Sequence, residues 1–197
     1  MFITRKSQTQ FLIQDSVKRP KVRISLGSFK QEPLLTKESD LVLVAQNKGY
    51  PQNWEKLKKK PFLINSPGEY EVKDVAVQGI QNNGQILYLL SLGQEKLAYF
   101  LHPSQKDLTP KQMDKVEEAK FLLISLDGQG LGPDKISTLI SQIAPQLVIP
   151  MDYEPHHLKR LAEILSLKEI KEEASIITSK LPLMKEETLV RALSITS

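Results

Sequence analysis

The sequence predicts an α+β fold of two packed β-sheets with helices outside, and three observations carry that expectation. The first half holds short apolar runs of β type, separated by polar or Pro/Gly breaks. From Thr109 onward, helical stripes alternate with apolar strands, as successive βαβ units do. The length, 197 residues with 40% hydrophobic side chains, suits one domain over residues 1–197 with one good core.

The elements can be justified in chain order. Phe2-Ile3-Thr4, Phe11-Leu12-Ile13, Val22-Arg23-Ile24 and Leu41 to Val44 read as short strands; the last is continuously apolar, as a strand covered on both faces must be. Glu69 to Val72 and Val75 to Ile80 alternate polar and apolar residues, which half-buried strands require. Ile86 to Leu92 and Lys96 to Leu101 flank Gly93-Gln94-Glu95 and form a hairpin. Thr109-Pro110-Lys111-Gln112 starts a helix, because it carries a capping-box pattern with proline at the first helical position. Phe121 to Leu126 is a buried strand. Ile136, Leu139, Ile140 and Ile143 keep the i, i+3, i+4, i+7 spacing of one helical face, and Leu147-Val148-Ile149 is the next strand. Leu158, Leu161, Ala162 and Leu165 repeat the helical stripe, and Ser175 to Thr178 and Thr188 to Leu193 are closing strands. The leucine and isoleucine stripes are core positions, not cofactor contacts.

Composition narrows the chemistry. Without cysteine, the chain has no disulfide, no thiolate nucleophile and no sulfur-ligated metal. The balance of 27 Lys+Arg against 23 Asp+Glu gives +4, far from a nucleic-acid-binding extreme. Basic residues gather at Lys18-Arg19-Lys21-Arg23 and at Lys56 with Lys58-Lys59-Lys60; each reads as a solvated face, with an anion-binding patch as the sharper alternative. The N-terminus lacks a signal-peptide pattern, and no apolar run approaches the roughly 20 residues of a membrane helix, so a cytoplasmic protein without membrane contact is expected. There is no G-x-S-x-G elbow, P-loop or dinucleotide fingerprint. Gly128-Gln129-Gly130-Leu131-Gly132 follows a strand but lacks a Lys-Ser/Thr ending, and reads as a strand-to-helix loop.

Several blocks, in their order and spacing, resemble one family. Met1 to Ile13 looks like an opening strand pair whose turn is Ser7-Gln8-Thr9-Gln10-Phe11. Leu41 to Val44 runs into the polar loop Gln46-Asn47-Lys48-Gly49-Tyr50-Pro51, and Pro67-Gly68-Glu69-Tyr70-Glu71-Val72 follows downstream. Lys96 to His102, Gln146 to Tyr153, and Leu181-Pro182 through Glu186-Glu187-Thr188 complete the series. Together they resemble the metallo-β-lactamase-fold hydrolases, in particular the small branch similar to ascorbate-6-phosphate lactonases. The resemblance spans nearly the whole chain and implies a four-layer αββα sandwich.

It also implies where a two-zinc centre would stand. The family's T-H-x-H-x-D-H ligands fall on Gln46, Lys48, Tyr50 and Pro51, its bridging aspartate on His102, and its last histidine on Asp152. Zinc takes imidazole nitrogen, thiolate or carboxylate. Glutamine is a poor ligand, the lysine ammonium repels the metal, and proline has no donor. Only His102 and Asp152 could bind, and two ligands do not hold zinc tightly. Bound zinc is what lowers the pKa of water to about 7 in such hydrolases. The expectation is therefore a metal-free, non-hydrolytic protein without a cofactor, in a binding, regulatory or scaffold role. Its pocket would be lined by Gln46, Lys48, Tyr50, His102 and Asp152, with Lys48 either facing Asp152 in place of the metal charge or pointing to solvent from its loop, and its partner a small ligand or a protein. One alternative is a phosphoester or lactone hydrolase rebuilt around His102, Asp152 and His156. Another is a nucleic-acid-associated protein using the basic segments. His156 and His157 open a predicted helix beside Glu154, but adjacent helical residues point about 100° apart, so both are not expected on one ion.

Overall fold

The computed structural model describes residues 1–29, 33–34, 38–103, 108–126, 131–182 and 187–196. Fourteen strands form two sheets among these residues. The first sheet contains β1 (Phe2–Arg5), β2 (Phe11–Gln14), β3 (Arg23–Gly27), β4 (Leu41–Val44) and β5 (Phe62–Ile64). The second begins with the meander β6 (Gly68–Val72), β7 (Val75–Asn82), β8 (Gln85–Leu92) and β9 (Glu95–Phe100). Helices then alternate with strands: α1 (Pro110–Val116), β10 (Phe121–Ser125), α2 (Pro133–Ile143), β11 (Leu147–Met151) and α3 (Pro155–Ile164). β12 (Lys171–Glu173), β13 (Ile176–Ile177) and β14 (Leu189–Leu193) close the chain. The six-stranded sheet runs β13-β1-β2-β3-β4-β5 and the eight-stranded sheet runs β12-β14-β11-β10-β9-β8-β7-β6.

Local chemistry explains these elements. The β8–β9 hairpin turns at Gly93, whose φ of 59° is left-handed and costs glycine no Cβ clash. At the start of α1 the Thr109 hydroxyl accepts the Gln112 N–H while Gln112 reaches back to the Thr109 N–H, as the capping-box pattern requires. α2 buries Ile136, Leu139, Ile140 and Ile143, the four positions of its apolar stripe. β9, β10 and β11 pair in parallel, so their connections must cross the sheet, and the helices supply those crossovers.

Three layers of apolar contact follow from strand alternation. The inner faces of both sheets meet in one core, with Ile3, Ile24 and Leu43 from one side and Tyr88, Tyr99 and Leu123 from the other. Each fully buried side chain of this size stabilises the fold by about 1.5–3 kcal/mol relative to exposure. The outer face of the larger sheet, with Leu87, Phe100, Leu122 and Val148, packs under the helices. Over the smaller sheet, Val42 and Val44 are covered by Phe29, Leu34 and Trp54, the last in a single 3-10 turn at Trp54–Lys56. Mixed sheets face to face with external helices are thus the α+β sandwich expected. Among the described residues, no helix is long and apolar enough to cross a membrane.

Candidate functional site

One end of the sandwich collects the residues singled out in the sequence. Because β9, β10 and β11 are parallel, their C-terminal ends coincide there, and β8, antiparallel to β9, begins there. The loop after β4 joins the same end: Gln46 bridges Gln85, the Ile86 N–H donates to the Ala45 carbonyl at 2.6 Å, and the Asn47 N–H donates to Gly84 at 3.2 Å. The β1–β2 turn closes over it. The Asp152 N–H donates to the Gln8 carbonyl at 3.2 Å, and the Tyr99 hydroxyl to the Thr9 carbonyl at 3.0 Å.

His102 and Asp152 are brought together. The imidazole Nε2 lies 3.7 Å from the Asp152 carboxylate, and the two side chains are only 18% and 15% exposed. The His102 N–H donates to the buried Ser125 hydroxyl at 2.7 Å, which fixes the chain as it leaves β9. Gln46 is half-buried. Lys48 and Tyr50 are exposed on the loop surface, Tyr50 at 56%. The expected pairing of Lys48 with Asp152 is not formed: among the described residues Lys48 has no ion pair, and Asp152 faces His102 instead. The loop leaves little freedom, since a Cβ on Gly49 would stand 2.8 Å from Val44 Cγ1 and 3.0 Å from the Gln46 carbonyl.

Three of these residues share a backbone feature that no pattern in the sequence displays. Lys48, His102 and Asp152 have φ of 59°, 45° and 49°, the left-handed region that costs a side-chain-bearing residue roughly 1–2 kcal/mol. Such strain persists only where surrounding contacts over-determine the conformation. Here the Lys48 N–H donates to the Asn65 carbonyl at 2.7 Å, beside the Asp152 and His102 backbone bonds already described.

Sequence reasoning missed Arg5 and Tyr88. Arg5 is 5% exposed; its guanidinium donates to the Ser7, Leu193 and Gln8 carbonyls at 2.9, 3.1 and 3.2 Å and lies 4.9 Å from the Tyr153 ring centre. It therefore holds the turn that in turn holds Asp152. The available signal was parity, because Arg5 occupies the same strand face as the core residue Ile3. Tyr88 crosses the core: its hydroxyl lies 2.8 Å from the Val44 carbonyl and 2.9 Å from that of Ile64, tying β8 to the ends of β4 and β5. Burial pushes its phenol far above the ordinary tyrosine value, so it stays a neutral donor. Burial likewise raises the Tyr153 phenol, against the pull of Arg5. Arg5, Thr9, Gln10, Asn82 and Ser125, all at this end, make up most of the buried polar residues among those described.

His156 and His157 stand outside this constellation at the start of α3. His156 Nδ1 is 3.3 Å from Glu154, and His157 Nδ1 accepts the Glu154 N–H at 3.2 Å, a helix-capping role. Gly128, Gln129 and Gly130 of the glycine-rich stretch, and Glu186 of the closing block, lie outside the described residues.

Two mixed sheets packed face to face, with a cluster of loops at one end, define the class. The chain belongs to the beta-lactamase superfamily domain family, which matches residues 9–152. Similar solved structures extend over the same fold. A proposed Zn-dependent hydrolase of the metallo-β-lactamase superfamily from Thermotoga maritima is 17% identical with a TM-score of 0.74, covering 98% of this chain and 100% of its own. Igni18, a metallo hydrolase from Ignicoccus hospitalis, is 12% identical with a TM-score of 0.59, covering 89% and 98%. A proposed metal-dependent hydrolase from Parabacteroides distasonis is 10% identical with a TM-score of 0.62, covering 98% and 93%. No curated protein matches significantly. At these identities the likeness concerns the fold.

The residues at this end do not fit the metal centre that the fold family implies. Among the described residues no group of three or more His, Asp or Glu side chains converges on a point. Gln46, Lys48, Tyr50 and Pro51 offer an amide, a cation, a neutral phenol and no donor, whereas a dinuclear zinc site needs imidazoles and carboxylates around each ion.

Proposed function

We propose that this chain is a metal-free, non-hydrolytic member of its family that keeps the polar end of the sandwich as a binding site. The observation that carries this reading is the pairing of His102 with Asp152, the two remaining donors, in place of a ligand set. A polar interior there supports a binding role: Thr9 Oγ1, Asn47 Oδ1 and Gln85 Oε1 are buried oxygens without a hydrogen-bond partner among the described residues. Such buried oxygens cost free energy when unmatched, so this end is more polar than the fold's own hydrogen bonds require. The occupant is a small ligand or a protein partner, and the role is binding or regulation by binding.

The test is turnover and metal content together. Freshly purified protein should carry zinc, manganese and iron far below one equivalent, and should not hydrolyse chromogenic phosphodiester, phosphomonoester or lactone substrates with or without added metal. Turnover that disappears in His102→Ala would replace this reading with a rebuilt hydrolase.

A further inference from the structure

We propose that the segment joining β4 to β5 is a binding surface for single-stranded nucleic acid. Residues 48–67 contain five lysines and one glutamate, a net +4, which equals the net charge of the entire chain. The remainder is balanced, with 22 basic and 22 acidic residues. The fold also orients the charge. Trp54 in the 3-10 turn and Leu57 just after it, three residues apart, face inward onto Val42 and Val44, which leaves Lys56, Lys58 and Lys59 exposed. None of these three meets an acidic side chain among the described residues. Lys60 instead turns back to Glu55 at 2.8 Å and lies 6.0 Å from the Trp54 ring centre, closing the turn.

Aromatic placement selects the occupant. Four large hydrophobic residues are exposed among those described, and the two aromatic ones, Tyr50 at 56% and Phe62 at 49%, bracket the lysine run. Phe62 pairs with Leu41 at one end of β4, while Tyr50 follows the other end. Lysines between two exposed rings match a chain that alternates phosphates with flat bases, because bases stack on aromatic faces while ammonium groups neutralise the backbone. A duplex hides those base faces, and this segment has no helix to enter a major groove. An acidic protein would use the lysines and leave the rings unexplained.

Anisotropy of a labelled oligothymidylate, titrated with the full-length protein over a range of salt concentrations, tests this. Three phosphate contacts predict a log–log salt slope of about −2. Lys56→Ala/Lys58→Ala/Lys59→Ala should bring the slope near zero. Tyr50→Ala should weaken binding roughly ten-fold at an unchanged slope, and Tyr50→Trp should restore it. Lys18→Ala/Arg19→Ala/Lys21→Ala, in the other basic segment, should bind like the parent. All these side chains are exposed, and thermal melts verify folding. Absence of salt-dependent binding, or unchanged binding by the triple lysine variant, overturns the proposal. So does polyglutamate competing as well as oligothymidylate with Tyr50→Ala and Phe62→Ala silent, which would mark a surface for an acidic protein.

Discussion

Arg5 shows how one side chain can set a site it does not line. Its guanidinium is buried, faces three carbonyls and lies against Tyr153, so removal strands several acceptors and frees the turn that receives the Asp152 N–H. Arg5→Ala should cost at least about 3 kcal/mol in chemical denaturation, since hydrogen bonds to charged groups contribute roughly 1.5–3 kcal/mol each. Arg5→Lys should recover little of this, because an ammonium cannot reproduce the planar fork. A loss below about 1 kcal/mol for Arg5→Ala, the size of an ordinary neutral hydrogen bond, would remove Arg5 from this role. Lys48 offers a cleaner reading of strain, as its side chain is exposed and its φ is 59°. Lys48→Gly should relieve that strain and be neutral or stabilising, while Lys48→Val should be less stable than Lys48→Gly by at least about 1–2 kcal/mol. Equal stability of the two variants would mean that the left-handed conformation is not enforced.

Elements rather than single residues join the sheets at the far end of the sandwich. Asp40, just before β4, accepts the Arg23 N–H of β3 at 2.8 Å and pairs with Lys73 in the β6–β7 turn. Burial alone would raise its carboxyl pKa, but hydrogen bonds from Lys73 and the Arg23 backbone outweigh that and hold it below the ordinary value. A depressed folded pKa gives stability that is complete above the unfolded value near 4 and is lost as pH falls through the lower folded value. The stability gap between the parent and Asp40→Asn should therefore be constant above about pH 5 and shrink below pH 4. A gap independent of pH would show that the charge contributes nothing.

β4, α2 and the β8–β9 hairpin were readable in the sequence because apolar period and turn chemistry act locally. β3 was expected from Val22, yet runs Arg23–Gly27, where it pairs with β4. β5 was not read as a strand, because three residues with Phe62 exposed give no alternation. β12, Lys-Glu-Glu, has no apolar signal at all and exists because its backbone pairs with β14 at the sheet edge. For the site, 50 positions separate His102 from Asp152, so only family resemblance could bring them together. The strain at both residues, and the hold of Arg5, arise from packing that no local pattern records.

At the scale of the whole molecule, two edges carry distinct chemistry: a polar, amide-rich end beside His102 and Asp152, and a lysine-rich face between β4 and β5. Under the proposed function, the first of these keeps the family's architecture without its metal. Calorimetric titration of the purified protein with zinc, beside Asp152→Ala, decides this. The expected result is no one-to-one complex at micromolar affinity or tighter, and indistinguishable traces for parent and variant. A micromolar or tighter stoichiometric complex that is lost in Asp152→Ala would contradict it and establish a rebuilt metal centre.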